Sequence, residues 1–133
     1  MADAFQVSSR DDQSSLRLEA YDRDYFRAEL RGLNLHAQAR VGIYLSTGLA
    51  GLFGEMASQW RGWEGRKTWS SLEGELHLTA EADRTGHVTL VAQLKEGAPS
   101  VWSLELVLVV EAGQLERLAR EAHAFERSVL SAT

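Results

Sequence analysis

Cysteine is missing from all 133 residues. Its absence excludes disulfides, thiolate metal sites and a cysteine nucleophile, and it fits a reducing compartment. Lysine is rare, and arginine supplies most of the positive charge. Acidic residues outnumber basic ones by 19 to 14, which leaves a net charge of −5. A chain of that sign lacks the basic surface that displaces counterions from nucleic acid, so the expected partners do not include nucleic acid. A basic protein partner suits the charge. No apolar run reaches transmembrane length, and the polar first 15 residues do not resemble a signal peptide. The expectation is a cytoplasmic chain with no membrane partner. Also missing are a Gly-x-Ser-x-Gly elbow and a glycine-rich strand-to-helix phosphate loop.

What is present is alternation. The length suits one domain with a real core, and 44% hydrophobic and 25% charged residues are ordinary for a globular chain. Residues 1–14 show little periodicity and are expected to be loose, with Phe5 and Val7 available for a short edge pairing. The single domain is expected over residues 15–130. From Ser15 to Leu45 apolar residues fall at every second position: Leu16 and Leu18, then Phe26, Ala28 and Leu30, then a long run from Leu33 through Leu35, Ala37, Ala39, Val41 and Ile43 to Leu45. A two-residue turn at Arg31-Gly32 sets Leu30 opposite Leu33, Ala28 opposite Leu35 and Phe26 opposite Ala37. A helix follows, with Ser46 or Thr47 as its N-cap and Leu49, Leu52, Phe53, Met56 and Trp60 on one face. Gly48, Gly51 and Gly54 weaken that helix and suit a close approach to a sheet.

The second half repeats the order. Leu72, Leu76, Leu78 and Ala80 alternate with polar residues, and Asp83 to His87 reads as a three-residue hairpin loop with Gly86 in the left-handed position. The register that follows pairs Ala80 with Leu90, Leu78 with Ala92 and Leu76 with Leu94, and sets Glu75 opposite Lys95. Gly97-Ala98-Pro99 supplies the next turn. Trp102, Leu104, Leu106, Leu108 and Val110 form the inner face of the last strand. A closing helix over 112–130 carries Leu115, Leu118, Ala122, Phe125 and Val129, with Glu116 and Arg120 paired on its outer side. The predicted fold is α+β: one twisted antiparallel sheet of about six strands, βββα-βββα, with two helices on one face.

Candidate chemistry is thin. His77 and His87 face outward on adjacent strands, but the predicted register separates them by roughly 20 Å at about 3.3 Å per residue, too far to share a metal. Glu73, Glu75, Glu81 and Asp83 alternate along one wet strand, where solvated charge is a better account than paired acid–base work. No catalytic residues, cofactor or metal are expected.

Two features remain. The first is the stretch Trp60 to Trp69, with three tryptophans, Arg61, Glu64, Arg66 and Lys67. As a site, Trp63 and Trp69 with the basic residues form an aromatic platform for an anionic or planar ligand, or a protein hot spot. As structure, Trp60 closes the helix face while Trp63 and Trp69 seal the open end of the core, and this second account is preferred. The second feature is the outward row Val101, Val107 and Val109, with Val91 beside it and Tyr44 near. A central strand covered on both faces, the ordinary preference of valine for strands, and an interface with a partner or a second copy all account for it, and the interface is preferred.

The motifs Trp60-Arg61-Gly62-Trp63-Glu64-Gly65 with Trp69, Leu72-Glu73-Gly74, Gly86-His87-Val88-Thr89-Leu90 and the helix 111–122 carry a resemblance. The chain resembles a family of small uncharacterised bacterial proteins, mainly from actinobacteria, over roughly residues 15–126. The family implies no activity. The βββα-βββα order is also similar in layout to small immunity proteins that neutralise polymorphic toxins. The functional expectation is a non-enzymatic protein-interaction module, with an immunity or adaptor role toward a basic partner as its most concrete form and a homodimer compatible with it. The alternative is a small-molecule-binding protein or weak enzyme with a pocket near the Trp60–Trp69 loop.

Overall fold

The structure is a computed structural model that describes residues 4–10, 13–42, 48–96 and 101–131. Among these residues, eight strands and two helices appear in chain order. The first half holds β1 (Ala4–Ser8), β2 (Ser15–Ala20), β3 (Tyr25–Gly32), β4 (Leu35–Gly42) and α1 (Leu49–Ser58). The second holds β5 (Lys67–Ser70), β6 (Leu76–Ala82), β7 (His87–Glu96), β8 (Trp102–Glu111), a 3-10 turn at Ala112–Gln114 and α2 (Leu115–Ser131). The strands form two antiparallel four-stranded sheets, ordered β1-β2-β3-β4 and β5-β6-β7-β8. The α+β class with two helices therefore holds, but one sheet of six strands does not.

Each half gains a leading strand. Within the segment expected to be mostly loose, Ala4–Ser8 makes the short edge pairing available to Phe5 and Val7, which are buried opposite Leu18 and Leu16. β5 is four residues long, and its inner face begins with Lys67 opposite Ala80, so no apolar alternation announces it.

Two of the hairpins make a contrast. β6 and β7 pair as expected, with Leu78 opposite Ala92 and Gly86 at φ 86° in the turn. Asp83 fixes that turn by accepting from the backbone N–H groups of Thr85 and His87. The Lys95 N–H bonds the Glu75 carbonyl, but the side chains part: Lys95 lies over Gly74, and the Glu75 carboxylate accepts from Ser71 Oγ at 2.7 Å. β3 and β4 instead pair Leu30 with Ala37, Ala28 with Ala39 and Phe26 with Val41. The turn is Leu33-Asn34, two residues later than expected, and Leu33 is 79% exposed at its tip. A two-residue displacement of the turn keeps every apolar residue on its inner face, so alternation alone does not choose between the registers. Leu72 also leaves the expected inner row and lies exposed in the turn before β6.

The helices pack on each other, α1 also on β5 and α2 on β1. Phe5 meets Phe53 and Phe26 meets Phe125 edge to face, at 5.1 and 5.7 Å between ring centroids. The two halves thus share one core. Beside this core the sheets join where the Arg10 N–H bonds the Val109 carbonyl and the Val109 N–H bonds Ser9 Oγ.

α1 starts after Gly48, and its N-terminal N–H groups are capped from α2: Glu126 accepts from Gly48 at 2.9 Å and from Ala50 at 2.8 Å. The expected cap at Ser46 or Thr47, the strand residues Ile43, Tyr44 and Leu45, and the turn at Gly97-Ala98-Pro99 lie outside the described residues. Gly51 and Gly54 face open space rather than a sheet. On α2 the ion pair is Arg117 with Glu121, not Glu116 with Arg120.

Candidate interaction surfaces

The Trp60–Trp69 stretch divides into parts with different surroundings. α1 ends at Ser58, and the Gly62 N–H closes a turn onto Gln59 with φ 121°, a conformation open to glycine. Trp60 therefore lies beyond the helix and is 55% exposed, with the Arg61 guanidinium 5.1 Å from its ring centroid. The helical spacing that assigned Trp60 to the core face ends one turn too early for it. Trp69 is a plug: 8% exposed on β5, opposite Leu78, with its indole against Gly48.

Trp63 is half-buried beneath the Lys67 ammonium, 5.1 Å from its ring centroid. The same ammonium bonds Glu55 on α1 at 2.7 Å. Lys67 is thus held between a ring and a carboxylate rather than presented to a ligand. Arg66 pairs with Glu81 at 3.0 Å in solvent, and Glu64 is exposed. A depression of about 500 Å³ between α1 and this stretch is lined by polar groups, Glu55, Glu64, Arg66 and Lys67 among them, and by none of the tryptophan rings. The Trp63 indole N–H is buried with no hydrogen-bond partner among the described residues.

The valine row lies on the far edge of the same sheet. Val107 stands opposite Val91 and Val109 opposite Thr89, all on the outer face of the sheet, while Val101 precedes β8. Val101 is 80% and Val107 49% exposed, whereas Val109 is half-covered beside Ser9 and Arg10. β5 and β8 are separated by two intervening strands, roughly 14 Å at about 4.8 Å per step. The two groups of candidate residues therefore do not converge on one site.

Glu105 and Glu111 flank the valines along β8, with Glu81 further across the sheet. Arg10 pairs with Glu111 at 3.0 Å and contacts His87 Nε2, while His87 Nδ1 lies 2.8 Å from Thr85 Oγ1. The Asp83 carboxyl is held at a pKa of about 2, chiefly by the backbone N–H groups of His87 and Thr85. His77 stands opposite Gln93, as its register implies, and among the described residues no group of three or more His, Asp or Glu is placed to hold a metal ion.

One surface had no signal in the linear pattern. The outer face of the first sheet gathers Arg17, Arg27, Arg31 and Arg40 with only Glu19 and Glu29 on the same rows. Arg27 stands directly opposite Arg40, each over a tyrosine ring, Tyr21 at 5.2 Å and Tyr25 at 5.0 Å. Partial burial pushes the Glu29 carboxyl up, but hydrogen bonds from His36 and Arg31 outweigh it and hold the pKa below the ordinary value. An acidic chain thus carries a locally basic face. Finding it requires the strand order, which periodicity does not supply.

Residues 7–129 match the model of a family of unknown function, DUF6228. The chain belongs to that family. The DUF6228 match runs from β1 to the last turns of α2, so it takes in both sheets, the Ser9–Val109 junction and every candidate residue described above. No curated protein and no solved structure matches the chain. No helix among the described residues is long and apolar enough to cross a membrane.

Proposed function

We propose that this DUF6228 chain is a non-enzymatic protein-interaction module that receives a basic partner on the outer face of its second sheet, in the manner of an immunity or adaptor protein. The observation that carries the reading is the exposure of Val101 and Val107 beside Val91 and Val109 on a face that carries Glu105 between them, with Lys95 opposite Ser103 and Arg10 paired to Glu111 toward its two ends. An apolar centre beside the Glu105 carboxylate suits a partner that brings a complementary basic group: burial of the valines contributes affinity and the carboxylate contributes orientation and encounter rate. A net charge of −5 acts in the same direction.

The alternative, a small-molecule pocket near the Trp60–Trp69 loop, has weaker support, because Lys67 is engaged by Glu55 and Trp63. The test uses the wild-type chain and Val91→Arg and Val107→Arg variants as immobilised baits against native-host lysate, at low and moderate salt. A protein retained by wild type, lost from both variants and weakened by salt is the expected result. Identical retention by all three baits, or none by any, refutes the reading.

A further inference from the structure

Among the described residues the edge of β8 before Val109 is uncovered, and we infer that it pairs antiparallel with β8 of a second copy of this chain, joining the two second sheets into one eight-stranded sheet. The inference rests on the reading of this surface as an interface and names the first occupant of its edge.

The edge is defined by hydrogen-bond parity. Val109 directs its N–H and C=O away from β7, toward Ser9 and Arg10. Alternate residues of an antiparallel strand share that direction, so the backbone groups of Ser103, Glu105 and Val107 also point away from β7. None of these three has a backbone partner beyond the edge among the described residues. Each unpaired row of this kind is a template for another strand.

β8 lacks the devices that blunt such edges. Its ten-residue ladder with β7 runs without a bulge. From Val101 to Val110 the only charged residue is Glu105, and neither lysine nor proline occurs. By contrast β5 has four residues and β1 five, and β4 carries Arg40 and His36 on its outer face. Apolar side chains are open on both faces of the same segment: Val101 and Val107 outside, and half-buried Trp102, Leu104 and Leu106 inside. The β3–β4 turn adds its exposed Leu33 nearby, since Gly32 approaches Leu106.

Self-pairing has one favourable register. Centring the two-fold axis on Glu105 places two carboxylates face to face, which destabilises a pair. Shifting toward the C-terminus brings in Val109, whose edge groups already bond Ser9 and Arg10. Centring on Leu104 sets Leu104 opposite its own copy, Trp102 opposite Leu106, Val101 opposite Val107 and Glu105 opposite Ser103. Every apolar residue then meets an apolar residue, and no like charges meet. The valines of the two copies form a Val101–Val107 pair on each side of the axis on one outer face, with Ser103 and Glu105 between, which enlarges the surface offered to a basic partner.

The experiment measures solution mass by light scattering and sedimentation from about 1 to several hundred μM, with Glu105→Pro as the edge variant. Proline at 105 removes only an N–H that points off the sheet, so the fold is retained while strand addition is blocked. Wild type is expected at twice 14.8 kDa, and Glu105→Pro, with unchanged circular dichroism, at the monomer mass. The cysteine-free background allows a second readout: Leu104→Cys forms an intermolecular disulfide on mild oxidation, whereas Thr68→Cys on the opposite edge does not. A wild-type monomer throughout, a dimer that survives Glu105→Pro, or equal cross-linking of both cysteine variants overturns the inference. A wild-type monomer that still captures a partner through Val91 and Val107 refutes the second copy alone and leaves the interaction reading standing. A monomer that captures nothing refutes both.

Discussion

Removing the Glu126 carboxylate tests how the two halves are held together. It accepts from the Gly48 and Ala50 N–H groups at 2.9 and 2.8 Å and lies at the positive end of α1. Hydrogen bonds to a charged group contribute about 1.5–3 kcal/mol when desolvated. The bond to Gly48 is exposed, so water replaces most of it, while the bond to Ala50 is partly buried. With about 0.3–1 kcal/mol from the helix dipole, Glu126→Ala should cost about 2 kcal/mol. Glu126→Gln keeps one acceptor oxygen and should cost about 1 kcal/mol. At roughly 4 °C per kcal/mol for a chain of this size, Tm falls by about 8 and 4 °C respectively. Urea unfolding followed by tryptophan fluorescence measures both, since the Trp69 indole packs against Gly48. A Glu126→Ala variant within about 0.5 kcal/mol of wild type, with an unchanged m value, refutes the reasoning.

Three other outcomes are expected. Gly51→Ala and Gly54→Ala, whose new methyl groups meet open space, should each stabilise by about 0.4–1 kcal/mol in calorimetry, and a loss at either would reveal a close approach. Asp83, with its pKa lowered from 3.8 to about 2, contributes stability that is full above about pH 4 and is lost as pH falls toward 2. The stability gap between wild type and Asp83→Asn should therefore close over that window, and a gap independent of pH would argue against the hydrogen-bonded turn. Trp63→Phe removes a buried N–H that has no partner, so the lost ring area is offset and the change should stay below about 1 kcal/mol. A cost of 3 kcal/mol or more by urea titration would mean that this N–H is bonded.

Much of the fold was legible where side-chain chemistry fixed a turn. Asp83 and Gly86 together determine the β6–β7 hairpin, and its register follows residue by residue. At the β3–β4 hairpin, Gly32 suggested a turn that Leu33-Asn34 makes instead, because alternation tolerates a displacement of two residues. β1 was legible only as the edge pairing of Phe5 and Val7, and β5 is too short and too charged on its inner face for periodicity to register. Trp60 obeyed the helical spacing of a helix that had already ended. The valines of β8 were visible as outward residues, but their place on an edge was not, because lateral strand order is set by contacts between distant segments. The arginine face of the first sheet was hidden for the same reason, since its four arginines come from three strands.

The cap on α1 also orders events in time. Each sheet is a meander of neighbouring strands, so its pairing uses contacts close in sequence. The Ala50 N–H and the carboxylate that accepts from it are 76 residues apart. At about 5–20 residues per second, a ribosome makes that interval in roughly 4–15 s. Throughout it the four strands of the first sheet have been made, while Glu126, which caps α1, and Phe125, which packs on Phe26, have not. The nascent first half thus waits, with its apolar inner face uncovered, for a helix not yet translated. Synonymous codon changes that slow translation between residues 60 and 115 lengthen that wait and should lower soluble yield without altering the finished molecule.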